Sequence, residues 1–313
     1  MAEDVEQPRK IRVSFGLTLG QALLLNLSVM IALAVFLFLG DILQGAGSYA
    51  PLIYLLIGLL VTANIFGYIE LTLSGPTPAG AYSIIHDREQ GGWLAFITGW
   101  SLTLAGLASA ALLAKGFALQ FSRLGEVLFD LPTPPLPWAL GVLAAAVIYD
   151  ILGSRKRQKG LVVGAILTAL LGTLLLGITE FNFSRFQPSI IDWNFSLSLI
   201  LISFIGLEIT TGRLNEIRKP TRTIPKLMIL SPLLASAAAA VMAGLGIVLG
   251  VTAVGTDPLS ALAAIGFHLA GPSGRVIFLV LGLVIFLLAL NRTLMMVVSQ
   301  FFTMSSHGYW PAA

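Results

Sequence analysis

The sequence has no cysteine and only three histidines, which excludes disulfides, thiolate metal sites and cysteine nucleophiles in any compartment. Charge is scarce too. Charged residues make up 11% of the 313, against roughly a quarter in soluble domains, while 57% are hydrophobic and mean hydropathy is +0.92. Water is therefore not the main solvent of this chain. The net charge is only +3, and the bases sit in short loops between apolar runs, so the basic isoelectric point signals membrane topology rather than nucleic acid. The run Ser154-Arg155-Lys156-Arg157-Gln158-Lys159 is read as such an anchor. Convergent acid, base, nucleophile or metal groups, such as His-Glu-x-x-His, are missing from the apolar segments, so no enzyme chemistry is expected. Nor is a filter-like loop visible that would suggest a channel.

What is present is apolar length. A helix needs about 20 residues to cross roughly 30 Å of hydrocarbon, and eight segments approach that demand: Leu17–Leu39, Pro51–Leu73, Trp93–Phe121, Trp138–Leu152, Leu161–Ile178, Phe195–Ile217, Leu227–Val251 and Val276–Phe302. The fourth is short. The expected fold is an all-α integral membrane protein of about eight transmembrane helices. Residues 1–15 form a retained tail without a signal-peptide pattern, residues 16–302 the membrane domain, and residues 303–313 a closing segment. If the N-terminus is inside, 13 of the 18 Lys and Arg residues fall on inner segments and only Arg123, Arg185 and Arg275 on outer ones. That bias predicts a cytoplasmic N-terminus and, with eight crossings, a cytoplasmic end.

Three inner stretches carry a resemblance. Glu70-Leu71 is followed by Pro76-Thr77-Pro78-Ala79-Gly80-Ala81-Tyr82 and then Gly99-Trp100. Phe204-Ile205-Gly206-Leu207-Glu208 precedes Asn215-Glu216-Ile217-Arg218-Lys219-Pro220 and Thr223-Ile224-Pro225. Ser299-Gln300-Phe301-Phe302-Thr303-Met304 closes at His307-Gly308-Tyr309-Trp310-Pro311. In order and spacing these resemble the amino acid, polyamine and organocation (APC) transporter superfamily: its E-L, P-x-x-G-G-x-Y and G-W pattern, its sixth span with the E-E-x-x-x-P-x-x-x-I-P loop, and the S-R…D-G-x-x-P ending of its eighth span.

The resemblance implies an inverted-repeat fold of five plus five spans, with the first repeat at about residues 16–180 and a partial second at about 195–302. It implies a secondary active transporter in the cell membrane that moves amino acids or related small organic ions by alternating access. Spans one and six of such folds are interrupted near the midplane, where exposed amides hold an anionic group and freed carbonyls a cation. Ser203, Phe204, Ile205, Gly206 and Leu207 match the interrupted part of span six. Gly206 has a physical reason to be singled out, because a glycine inside an apolar helix costs about 1 kcal/mol relative to alanine. In span one, Ala32, Leu33 and Ala34 stand where the family shows G-x-G-I-F, after Asn26 and Ser28. Alanine keeps its amides engaged in a helix, so the substrate is an amino acid, an amine or another solute. A non-transporting structural or regulatory subunit with a permease-like fold is the alternative. The family core has ten or more spans, so either the final spans are absent from this sequence or a partner completes the bundle.

Buried charge marks functional positions in a bilayer, since each costs at least ~2.5 to 3.5 kcal/mol. Glu208 and Arg292 fall at similar inner depths and are expected to pair or to share a water-filled cavity; the bland alternative is that each reaches inner water on its own. Lys115 lies near the outer surface, where it either snorkels or takes part in coupling. Some family members carry a lysine in span five in place of a sodium site, but Leu161–Ile178 has none, so the coupling ion, proton or sodium, stays open. No cofactor is expected. His86 and His307 are assigned to inner loops and His268 to an outer one, so no histidine cluster supports a metal centre.

Overall fold

The computed structural model describes residues 17–74, 80–89, 92–130, 133–152, 192–207, 217–251 and 261–309. The described chain starts on a reciprocal cap: Thr18 Oγ1 accepts from the Gln21 N–H at 3.4 Å, and Gln21 Oε1 accepts from the Thr18 N–H at 3.1 Å. Two orphan donors of the first turn are thereby satisfied. Helix α1 (Leu19–Ile31) widens into a π-helical turn at Ala32–Leu37, passes Phe38 and resumes as α2 (Leu39–Ala46). Gly47, at φ 54°, ends α2 in a conformation that an L side chain rarely adopts. Helices α3 (Ala50–Ser74), α4 (Gly80–Glu89), α5 (Trp93–Phe129) and α6 (Pro135–Leu152) come next. Asp192 caps α7 (Trp193–Ser203), its carboxylate accepting from the Phe195 N–H at 3.1 Å, and α7 tightens into a 3₁₀ turn at Phe204–Leu207. The last helices are α8 (Pro220–Val248) and α9 (Ala261–Ser306).

The molecule is apolar outside and holds its polar side chains within. Leu52, Leu56, Leu59 and Phe66 of α3 and Leu104 of α5 are each more than half exposed, whereas Asn26, Thr103, Ser203, Ser231 and Thr293 are buried. The buried hydroxyls bond back to their own helices: Thr103 to the Gly99 carbonyl at 2.8 Å, Ser203 to Leu199 at 2.9 Å, Ser231 to Leu227 at 2.7 Å and Thr293 to Ala289 at 3.0 Å. A surface of bare leucine around internally satisfied backbone fits lipid as the surrounding solvent. Among the described residues five helical stretches are long and apolar enough to cross a membrane, and two shorter apolar helices accompany them. The chain is an all-α membrane protein.

Several helix ends differ from the sequence-based expectation. α6 begins at Pro135 rather than Trp138, because a proline at the first helical position loses no hydrogen bond. α8 begins at Pro220 and runs through Pro225 and Pro232, so Pro225 does not restart the span. Its missing N–H leaves one carbonyl unpaired early in a long helix that is packed elsewhere. α9 contains the expected Val276–Phe302 but starts at Ala261, with a break at Ala270 and Gly271 (φ 63°) just before Pro272. The expected fifth span, Leu161–Ile178, lies outside the described residues.

Small residues set the register between helices. Along α5, Gly99, Gly106 and Gly116 face Met304, Val297 and Phe286 of α9, residue numbers rising on one helix as they fall on the other. The two helices are therefore antiparallel; α3 and α8 meet closely at Gly58 and Ser236. A Cβ at position 116 would lie 2.5 Å from the Phe286 ring, while one at Gly67 would meet nothing within 4 Å. Gly116→Leu is expected to destabilise the protein by about 1–3 kcal/mol or more through overpacking. Gly67→Leu, on the lipid-facing side of α3, should leave the thermal midpoint in detergent unchanged.

Candidate functional site

The 3₁₀ turn Phe204–Leu207 lies against α1, just before its π turn. The Arg218 N–H donates to the Leu17 carbonyl at 3.0 Å, and the Asp192 N–H donates to the Gly45 carbonyl at 3.0 Å. Backbone bonds thus join the first span to the sixth at both ends. Midway, Gly206 is pressed onto α1: a Cβ there would lie 3.1 Å from Val29 Cβ, 3.2 Å from Met30 Cγ and 3.3 Å from the Asn26 carbonyl oxygen. The cost of a glycine in this apolar segment is offset by close approach, since any side chain would push the segments apart.

On the first-span side, Ala32, Leu33 and Ala34 are buried and form the start of the π-helical turn. Their amides are not bare. The Ala32 N–H is shared between the Ser28 and Val29 carbonyls, and the Phe38 N–H reaches back five residues to Leu33 at 2.9 Å. A π turn nevertheless marks a helix wound under local constraint. The constraint is visible in Tyr54 of α3, fully buried, whose hydroxyl donates to the Ala34 carbonyl at 2.6 Å. On the sixth-span side Ser203 ends α7, Phe204 leaves helical geometry (φ −87°, ψ 1°), and Phe204, Gly206 and Leu207 are buried with Ile205 half-buried. Ser203 Oγ is taken up by its own helix and does not face the junction as a free donor.

A polar contact crosses just inward of the junction. Asn26 Nδ2 donates to Ser231 Oγ at 3.3 Å, both residues fully buried, which joins the first span to the seventh. On the outward side, Phe36 of the π turn meets Phe286 of α9 edge to face, with centroids 6.4 Å apart, and lies close to Gly282 and Gln120. The junction therefore sits between two packed groups, α3 with α8 on one side and α5, α6 and α9 on the other, with α1 packed against both α8 and α9.

The charged candidates fare unevenly. Arg292 is half-buried on α9 beside buried Asn291 and Thr293, but Glu208 lies outside the described residues. Lys115 is exposed on α5, and its charge acts on Asp41 of α2, a residue that sequence reading did not single out. Sequence reading also missed Tyr54, Ser231 and the approach of His86 to His307. Both histidines fall in the same inner layer by sequence, but nothing in the pattern pairs two rings from opposite ends of the chain. Among the described residues no group of three or more metal-ligating side chains converges.

No family model matches the chain. It is 25% identical over 248 residues to the branched-chain amino acid permease BcaP of Lactococcus lactis subsp. cremoris, which covers 70% of this chain and 53% of that protein. It is 22% identical over 201 residues to cationic amino acid transporter 1 of Arabidopsis thaliana, covering 58% of this chain and 33% of that one. The BcaP permease of Bacillus subtilis is 23% identical over 232 residues, 66% of this chain and 49% of the permease. The chain thus spans about half the length, or less, of the curated relatives it matches. Motifs and relatives agree in that this all-helical membrane chain is similar, at 22–25% identity, to amino acid permeases and transporters.

Proposed function

We propose that this chain forms the permease core of a secondary active transporter, which carries amino acids across the cell membrane by alternating access with its N-terminus in the cytoplasm. The observation that carries this reading is the presence of two irregular helix segments close together inside an apolar bundle: the Phe204–Leu207 turn lies on α1 at Val29 and Met30, just before the π turn at Ala32–Leu37. Irregular backbone at such a position is retained where it faces a solute or a partner. The pairing of first span with sixth, second with seventh and third with eighth supports the five-plus-five inverted repeat, since each element meets the one five places on. Three named relatives in amino acid transport support the substrate class.

Ala32, Leu33, Ala34, Ser203, Phe204, Ile205, Gly206 and Leu207 form the substrate site in this reading. Its walls are apolar, which favours a branched or otherwise apolar side chain over a cationic one. In the closed arrangement Gly206 is pressed onto α1 just before the π turn, so the solute enters when the two packed groups part along the Phe36–Phe286 contact. Glu208 and Arg292 pair or share a water-filled cavity on the inner side and govern its opening, and Lys115 takes part in coupling with Asp41 at the outer side. Whether the driving ion is a proton or sodium is left to the test. Further spans or a second protein complete the second repeat.

A second reading has its own observation. The amides of Ala32 and Phe38 are hydrogen-bonded within the chain, which favours a permease-shaped regulatory subunit without turnover. Uptake by proteoliposomes separates the two. The transporter reading expects saturable accumulation of leucine, isoleucine or valine, stronger than that of lysine or putrescine, and dependent on a proton or sodium gradient. Ligand-induced thermal stabilisation without accumulation would favour the subunit.

A further inference from the structure

A second cluster closes the inner side of α5, away from the candidate site. The His86 ring of α4 stacks on the His307 ring after α9, centroids 3.8 Å apart and planes 6° from parallel. Tyr82 Oη lies 2.9 Å from His307 Nδ1. Tyr309 packs edge-on against both Tyr82 and His86 and donates its hydroxyl to the Gly92 carbonyl at 3.4 Å. Phe96 and Trp100 of α5 extend the cluster, and Met304 of α9 sits beneath it, fully buried with Tyr82. Through these rings the short helix that links α3 to α5 is held on the inner end of α9, and so to the group formed by α5, α6 and α9.

The chemistry of the stack requires neutral imidazoles. Burial pushes the Tyr82 phenol up to about 12, with Tyr309 and Asp87 adding to it, so Tyr82 stays protonated and donates. With His307 neutral and its proton on Nε2, Nδ1 accepts from the Tyr82 hydroxyl. Protonating His307 would remove that acceptor and set a charged ring against the imidazole stacked on it at 3.8 Å. His307 is accordingly held below the usual histidine range by burial and by His86, with Asp87 opposing. His86 Nδ1 is buried with no hydrogen-bond partner among the described residues. The surrounding elements offer little compensation. Among the described residues Asp87, Arg88 and Glu89 lie on α4 itself, the half of α5 from Trp93 to Ala114 carries no charge, α9 carries none after Arg292, and α3 supplies only exposed Glu70.

We propose that the His86–His307 stack is a proton-released latch, which fixes the α3–α5 linker to the end of α9 while both rings are neutral and frees it when that side of the membrane is acidified. Its direction is set by the lowered His307 value. The packed state binds fewer protons than the open one, so the latch is at full strength above the ordinary histidine value of about 6.5 and weakens as pH falls below it. Weakening stops once pH passes the lower value of the packed state. For uptake of one proton the opening equilibrium shifts by at most about tenfold per pH unit.

The absence of cysteine makes a clean probe available. Ser83 of α4 is buried, its hydroxyl has no partner among the described residues, and cysteine fits such a position. The full-length Ser83→Cys protein in nanodiscs would be alkylated with a maleimide between pH 7.5 and 5.5, beside the same protein carrying His86→Phe and His307→Phe. Taking the ratio of the two rates cancels the thiol's own titration. The expected ratio is constant above the histidine range and rises by up to about tenfold per unit below it; a ratio that stays flat to pH 5.5 overturns the proposal. If the double variant does not fold, His307→Asn keeps an acceptor for Tyr82 without titrating. Its alkylation should show no acid-induced rise relative to the His307 protein, and an unchanged rise would equally overturn the latch. Neither readout depends on transport, so the outcome is independent of the proposed function.

Discussion

Gly206→Leu is expected to abolish amino acid uptake and to lower thermal stability, the largest effect of any single substitution at the junction. A Cβ alone at this position reaches 3.1–3.3 Å from Val29, Met30 and the Asn26 carbonyl, tighter than ordinary van der Waals contact. Leucine adds three further carbons where neighbours on a helix pinned at both ends by backbone bonds cannot retreat. Overpacking of this kind costs about 1–3 kcal/mol, occasionally more, and a loss of only about 1.4 kcal/mol in the competent arrangement is already tenfold. Gly206→Ala is the graded control. It demands a shift of a few tenths of an ångström, so partial uptake with nearly normal folding is expected. Uptake that is normal in Gly206→Leu protein would mean that the first and sixth spans need not touch here.

Tyr54→Phe is the second large effect, and it acts through one atom. The phenol hydroxyl donates at 2.6 Å to the Ala34 carbonyl inside the π turn, and Tyr54 is fully buried, so water cannot replace it. Leaving a buried acceptor short of its partner costs about 1–3 kcal/mol. The π turn holds one residue more than an α turn would, and its rewinding would rotate the rest of the span by about 100°. Phe36 would then leave Phe286, and α2 would leave the Asp192–Gly45 bond. The expected result is a lower melting midpoint together with a loss of uptake of about tenfold or more. If stability falls but uptake per folded molecule is unchanged, the π turn is structural only.

The sequence carries the membrane character of this chain openly, because lipid imposes a length and polarity rule that long apolar runs either meet or fail. A glycine inside an apolar helix has a cost, which singles out Gly206 in the sequence, and Gly206 is pressed onto α1 in the structure. Helix ends are less legible. Pro220 and Pro225 read as the end of one span and the start of the next, yet a long packed helix tolerates Pro225, and a glycine break carries α9 back through Pro272 to Ala261. The π turn is hidden for a similar reason: Ala32-Leu33-Ala34 has strong local helix preference, and the contact that fixes its winding comes from Tyr54 across the bundle. The histidine stack joins positions 86 and 307 through tertiary packing that no local pattern encodes. Glu208, the charge expected to answer Arg292, lies outside the described residues, and reversal of the pair remains its test: rescue by the double reversal supports the pairing.

In the proposed transport cycle, residues of the π turn meet a solute and water at some stage, although they are packed shut in the arrangement described. Ala34 is 4% exposed, and cysteine is small enough to replace it. In this otherwise thiol-free protein, Ala34→Cys in proteoliposomes should react slowly with a membrane-impermeant thiol reagent, and a transported amino acid such as leucine should change that rate severalfold. A residue that never reacts from either side, or reacts at one rate whatever amino acid is present, would contradict the account.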